Sequence, residues 1–346
     1  MLVVLDSNAL IADWRRESNA FRLLLTQADS FGLALAVPEV VVQEASRQLE
    51  EQMNVAQGKL RKALADVSRV GVDAADSFEG LGTVAIRVST WEKQLRSQFA
   101  GPGRRILPMP KISHAGVFEY LRGDRPPASA GRGYGDILVW ETVVAALDTN
   151  SPTVLVSNDT DFMDSSGEGL SVQLRIDAGR RCPGASVELV PTVRALVETY
   201  ILPNLRPFDH FWEIVNKGML QAAVAELVEQ HDVDRALLPV VAPGLAYDAW
   251  VIGVDDVSDI ELSESKETPD GHAYFTVEAD VLAKVEYIVD IRESAPQPTR
   301  IQAVLPYPPH LHHGVQNCFL RVAAEGTYAI GRDEIDPLKL RNIESG

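Results

Sequence analysis

Short apolar runs alternate with longer amphipathic stretches through the first two hundred residues. The opening MLVVL is apolar and partly β-branched and is stopped by the polar DSN, which predicts a short buried strand. From Ala9 to about Leu25, the apolar positions Ile11, Trp14, Phe21, Leu24 and Leu25 recur at roughly helical spacing. LALAVPEV is a second strand-like run, ended by Pro38. From Glu39 to about Val70 the chain is rich in Glu, Gln, Lys and Arg, with no Pro and one Gly, which predicts one long helix or two in series. Another helix is predicted over about Val84–Phe99, after which GPGRRILPMP breaks regular structure. GRGYGD at 131–136 is a glycine-rich, hinge-like turn feeding an amphipathic helix from Ile137 to Leu147. TVLV and VELV then predict two more strands, the second followed by a helix after Pro191. Strands that are apolar on both faces and alternate with helices mean a parallel sheet covered by helices, an α/β class in three layers, α/β/α.

The pattern changes after residue 204. PFDHFWEIVNKGMLQAAVAELVEQ predicts two short helices. AYDAWVIGVDDVSDIELS and HAYFTVEADVLAKVEYIVDI predict strands joined by the charged turn ESKETPDG. In the second run Ala273, Phe275, Val277, Ala279, Val281, Ala283, Val285, Tyr287, Val289 and Ile291 share one parity, while His272, Thr276, Glu278, Asp280, Lys284, Glu286 and Asp290 share the other. That alternation marks antiparallel strands with one wet face. The expected organisation is an α/β domain at 1–204 with a helical, partly basic insertion at about 50–130, and a smaller acidic α+β domain at 205–346. PPHLHHGVQNC offers His310, His312, His313 and Cys318, but at no standard zinc spacing, and predicts a His-rich turn. Trp91, Trp140, Trp212 and Trp250 lie in apolar contexts and are expected in cores.

Composition narrows the class. At 46% hydrophobic and 23% charged, the 346 residues are ordinarily globular. No run approaches the ~18 apolar residues of a membrane span, and an Asp at the sixth position argues against a secretory signal. Two cysteines, Cys182 and Cys318, fit a reducing compartment, so a cytoplasmic location is expected. The net charge of −17 argues, by itself, against a partner as anionic as nucleic acid. The charge is uneven, however. Residues 1–204 hold 21 basic and 25 acidic side chains, and the remainder 11 and 24. Between Arg87 and Arg132, nine basic residues face three acidic ones, a basic stretch suited to nucleic acid. The acidic surface expected in the second domain suits a basic protein partner or the pairing of two copies.

Ligands of open parallel sheets bind beyond the carboxyl ends of the strands. Asp6 follows VVL, Asp159 follows VLVSN with Asp161 two residues on, Asp136 follows the glycine turn, and Glu44 lies near the start of the long helix. Carboxylates converging from separate segments raise one another's pKa values unless a cation neutralises them. Only oxygen ligands are on offer, so Mg²⁺ or Mn²⁺ is the expected ion and zinc is disfavoured.

LDSNAL at 5–10, VPEVVVQEASRQ at 37–48, GRGYGDILVWETV at 131–143 and SNDTDF at 157–162 resemble, in that order, the acidic motifs of the PIN-domain nucleases. The resemblance covers about residues 1–204. It implies Asp6, Glu44, Asp136, Asp159 and Asp161 as the acidic site, with Asp6, Asp136 and Asp159 holding metal. Asn8 and Ser157 match the polar residues that orient the carboxylates. It further implies hydrolysis of phosphodiester bonds in RNA, less so DNA, leaving a 5′-phosphate. Arg104, Arg105 and Arg132 are the expected phosphate contacts. The long interval between Glu44 and Asp136 departs from the family's smallest members. Two competitors remain. LDSN also resembles haloacid-dehalogenase-type phosphatases, although Asn8 stands where these need a second Asp, and no Lys occurs between Lys111 and Lys217. A non-catalytic PIN fold that binds RNA or protein is the other.

Overall fold

A computed structural model of the chain describes residues 1–69, 83–123, 125–128, 133–167, 169–230, 246–290, 311–330, 332 and 334–345. The chain divides into two compact units, Met1–Pro203 and Asn204–Gly346.

The first unit runs β1 (Leu2–Leu5), α1 (Ser7–Ile11), α2 (Asn19–Gln27), β2 (Ala34–Pro38), α3 (Glu39–Arg69), α4 (Val84–Gln98), β3 (Arg104–Leu107), α5 (His114–Gly123), α6 (Tyr134–Ala145), β4 (Thr153–Val156), α7 (Val172–Arg181), β5 (Val187–Val190) and α8 (Val193–Tyr200). The five strands form one sheet in the order β3-β2-β1-β4-β5, every pairing parallel. All residues of β1 and β4 are buried, so both sheet faces are covered, as continuous apolar runs require. Strand order reverses between β1 and β4, the position at which a crevice opens beyond the carboxyl ends.

Several local expectations are corrected. The helical spacing of Ala9–Leu25 is split into α1 and α2, because the Asp13 carboxylate accepts the N–H groups of Glu17 (3.2 Å) and Ser18 (2.8 Å) and Ser18 caps α2. GPGRRILPMP does not break structure throughout: its RRIL segment is edge strand β3, paired to β2 along its whole length and ended by Pro108. Tertiary pairing there outweighs the flanking Gly and Pro. The helices α5 and α7 lie where no element was expected. The long α3, in contrast, is one helix of 31 residues.

The second unit runs β6 (Arg206–Pro207), α9 (Phe211–Ile214), α10 (Lys217–Gln230), β7 (Ala246–Glu267), β8 (His272–Asp290), β9 (Leu311–Ala329), β10 (Glu334–Ile335) and β11 (Lys339–Ser345). Its antiparallel sheet has the order β10-β9-β8-β7-β6, with β11 also on β9. The apolar parity of β8 is buried from Ala273 to Val285, and Leu220, Val224, Leu227 and Val228 of α10 belong to the same core. The other parity is wet only in part. Tyr274 and Thr276 are buried, and Glu325, 2% exposed, meets the Tyr274 hydroxyl at 3.2 Å and Arg341 Nε at 3.5 Å. The segment expected as a His-rich turn enters β9 from Leu311 onward, and His310 lies outside the described residues. Trp212 is exposed rather than core. Cys182 and Cys318 are free thiols, and among the described residues no helix is long and apolar enough to cross a membrane.

Candidate active site

Asp6 is the first residue past β1. Its own N–H donates to Val156 O at 3.1 Å, tying it to the end of β4. Asp6 Oδ1 accepts the Ser7 N–H at 2.7 Å, capping α1, and Oδ2 accepts the Ser157 hydroxyl at 2.7 Å. Ser157 is fully buried. Its oxygen also accepts from Asn8 Nδ2 and from the backbone N–H of Asp159, both at 3.1 Å. One donated and two accepted bonds are the whole capacity of a hydroxyl, so Ser157 locks Asp6, Asn8 and Asp159 into one arrangement. Asp159 Oδ1 in turn accepts the Asp161 N–H at 2.9 Å, a side-chain-closed turn.

Asp136 arrives from another direction, in the first turn of α6, where the helix dipole favours a carboxylate. The entry to α6 requires glycine. Gly133 has φ of 98°, and a Cβ there would lie 2.9 Å from Pro127 O and 3.3 Å from Asp136 Oδ2. The expected hinge is therefore, at this residue, a fixed helix entry. A Cβ on Gly135 would stand 3.8 Å from Glu44 Oε2, which sets the Glu44 carboxylate beside the start of α6. Gln48, one turn along α3, donates to Glu44 Oε1 at 3.2 Å.

Electrostatics joins these groups. Burial raises the Asp6 carboxyl to about 6, with the bonds from Ser157 and Ser7 opposing and the charges of Glu44 and Asp159 adding to the rise. Asp136 is pushed up to about 7 by burial and by repulsion from Asp159, Asp6, Glu44 and Asp161. Among the described residues no basic side chain forms an ion pair with Asp6, Glu44, Asp136 or Asp159. Five acidic groups from four segments thus repel one another at the carboxyl ends of β1 and β4. Among the described residues, no three such side chains already converge as a metal cage.

Two of the expected phosphate contacts, Arg104 and Arg105, do not join this site. Arg104 and Arg105 register with Leu35 and Ala36 early in β2, at the opposite end of the sheet from Asp6. The Arg104 guanidinium hydrogen-bonds Leu25 O, and both arginines line a cleft with Met1, Leu2 and Thr153 at the amino ends of the strands. Arg132 lies outside the described residues. Gln48 and Gly133 are supporting residues that the sequence reading did not single out. Gln48 was legible as the helical i+4 neighbour of Glu44.

A five-stranded parallel sheet with acidic side chains gathered at its switch point defines an α/β domain of the class that binds ligands beyond the carboxyl ends of its strands. A family model of the PIN domain matches residues 3–162, which lie within the N-terminal unit. No curated protein and no solved structure matches the chain. PIN domains are generally those of hydrolytic nucleases.

Proposed function

We propose that this protein is a divalent-metal-dependent endoribonuclease, with Asp6, Asp136 and Asp159 as metal ligands and Glu44 and Asp161 completing the acidic site. The observation that carries the reading is that, among the described residues, Asp6, Glu44, Asp136 and Asp159 form no ion pair with a basic side chain, and the carboxyls of Asp6 and Asp136 are raised to about 6 and about 7 partly by their neighbours' charge. Such repulsion is relieved by an ion, and a donor set made only of oxygens suits Mg²⁺ or Mn²⁺. When bound, the ion would supply an activated water and stabilise the charge developing on the attacked phosphoryl group.

The chain's own residues do the positioning. Ser157 fixes one oxygen of Asp6 and the backbone of Asp159, the Ser7 N–H fixes the other Asp6 oxygen, and Gln48 restrains Glu44. Residues that orient ligands in this way typically affect metal affinity by about 10–100-fold.

The test is cleavage of structured RNA, single-stranded RNA and single-stranded DNA with Mn²⁺, Mg²⁺ or EDTA. RNA cleavage that needs the ion and disappears in Asp6→Asn/Asp136→Asn, with the fold intact, is the expected result. Full activity of that double variant contradicts the proposal. RNA binding without cleavage, unchanged by the double substitution, would favour the scaffold reading. Release of phosphate from a small phosphoester, with no cleavage of polymer, would favour the phosphatase.

A further inference from the structure

Helix α3 carries two opposite charge characters. Its first part, Glu39 to Glu51, holds Glu39, Glu44, Glu50 and Glu51 against Arg47. From Gln52 to Arg69 it holds Lys59, Arg61, Lys62 and Arg69 against Asp66. The acidic end reaches the site through Glu44. Two turns further on, Gln52 Oε1 accepts from Trp14 Nε1 at 3.1 Å, beside the Trp14–Trp91 pair that joins α3 and α4 to the turn after α1. Beyond Gln52 the helix leaves its packing: residues 58–63 are all exposed, and Val55 is 59% exposed. Helix α4 packs beside α3 along a narrow seam of Val84, Trp91 and Leu95, and leaves Arg87 and Lys93 exposed.

The cations of this hairpin divide by what they touch. Arg96 is committed to the protein: its guanidinium forks onto Glu39 at 2.7 and 2.8 Å and also meets Glu92 at 2.9 Å. No such fork is found for Lys59 or Lys62, both of which face solvent. At 1.5 Å per residue they stand about 22 and 27 Å along the helix from Glu44.

We propose that the exposed half of α3, through Lys59 and Lys62, is a phosphate-gripping arm that binds the backbone of the same RNA strand some 20–30 Å from the scissile bond. This rests on the nuclease reading and names its substrate class: a single strand long enough to reach from the carboxylates to the arm. Charge decides the occupant. Exposed lysines three residues apart on one helix, in a chain of net charge −17, suit a polyanion whose counterions they release on contact. Because the contacts are to phosphate, the arm should be indifferent to sequence.

The experiment measures binding apart from cleavage. Fluorescence anisotropy is recorded for labelled single-stranded RNA of about 6 and about 24 nucleotides, one within and one beyond the common single-strand site sizes. It uses the full chain carrying Asp6→Asn/Asp136→Asn, with and without Lys59→Ala/Lys62→Ala, and circular dichroism checks the helix. The arm predicts tighter binding of the longer RNA. It also predicts about tenfold weaker binding of that RNA by the variant lacking both lysines, a collapsed length preference, and a salt slope shallower by about 1.4. Equal affinity and slope with and without the two lysines overturns the arm. So does a loss of the same size on both lengths. Wild-type protein that binds RNA in this way yet cleaves none would sink the nuclease reading and leave the arm standing.

Discussion

Two acidic clusters in this molecule are built on opposite principles. On the sheet of the second unit, Glu261, Glu278 and Asp280 surround Arg321, whose guanidinium meets them at 2.9, 3.2 and 2.8 Å. The cation is part of the chain, and the carboxylates hold its charge firmly in place. Glu141 beside Arg181, at 2.6 and 2.8 Å, repeats the principle inside the N-terminal unit. At the ends of β1 and β4, by contrast, Asp6, Glu44, Asp136 and Asp159 have one another and neutral donors such as Ser157. A cluster with an internal cation is a finished piece of structure. A cluster without one has retained a raised electrostatic energy that an outside cation can lower.

That difference can be attacked from either side. The largest effect should come from giving the second kind of cluster a cation of its own. Glu44→Lys is expected to remove metal-dependent cleavage, by about 10³-fold or more on the scale set by removal of charge stabilisation at such sites. The same change should cancel stabilisation by Mn²⁺ in thermal melts. Retained cleavage with a retained Mn²⁺ effect would show that the cluster does not need to be bare.

Next is the hub. Ser157→Ala removes a donor to Asp6 and leaves the Asn8 and Asp159 N–H groups without their shared acceptor. Stability should fall by about 1–3 kcal/mol, read from denaturant unfolding. Mn²⁺ affinity should fall by about 10–100-fold. An unchanged affinity would make Ser157 a structural residue only.

The pH dependence follows from the raised carboxyls. In the metal-free protein Asp6 and Asp136 hold protons up to about 6 and about 7, whereas in the unfolded chain they lose them near 3.8. Between pH 4 and 7 the native state therefore binds more protons at these two groups, and their contribution to stability declines as pH rises. Asp136→Asn removes part of that penalty. Its melting temperature should match wild type near pH 4 and exceed it at pH 8 by a few degrees, on the order of 1–2 kcal/mol. A variant less stable than wild type at pH 8 would contradict the repulsion.

The smallest effect belongs to the first kind of cluster. Arg321→Gln removes a partly exposed ion network, and surface pairs are typically worth about 0–1 kcal/mol each. The loss should be no more than about that in low salt, shrink at high salt, and leave RNA cleavage untouched.

Sequence made much of this legible, unevenly. Asp6 and Asp159 could be found because an apolar β-branched run that stops at a polar residue marks a strand's carboxyl end, and in a parallel sheet that end is where ligands bind. The alternation in β8 fixed its core face from Ala273 to Val285. The same alternation overstated the wet face, since Tyr274 and Thr276 are covered by tertiary packing that no local pattern encodes. β3 was hidden because its flanks are Gly and Pro and its stability comes from pairing with β2. Without β3, the basic stretch had no direction, and Arg104 and Arg105 could not be seen to sit at the amino end of the sheet. A count of charge identifies cations, and only the fold says which of them share a surface with the carboxylates. The site's acidic residues were legible as a series, while Gln48 and the conformational demand at Gly133 became readable only with the helix entries in place.

The central claim is that the carboxylates ending β1 and β4 await a divalent ion. Titration calorimetry of Mn²⁺ into wild-type protein and into Asp6→Asn/Asp136→Asn, at pH 7 in two buffers of different ionisation enthalpy, tests it most directly. The account predicts Mn²⁺ binding by the wild type with release of protons, because Asp136, raised to about 7, is still partly protonated there, and no such binding by the double variant. Equal Mn²⁺ binding by both proteins, or none by the wild type, would contradict it.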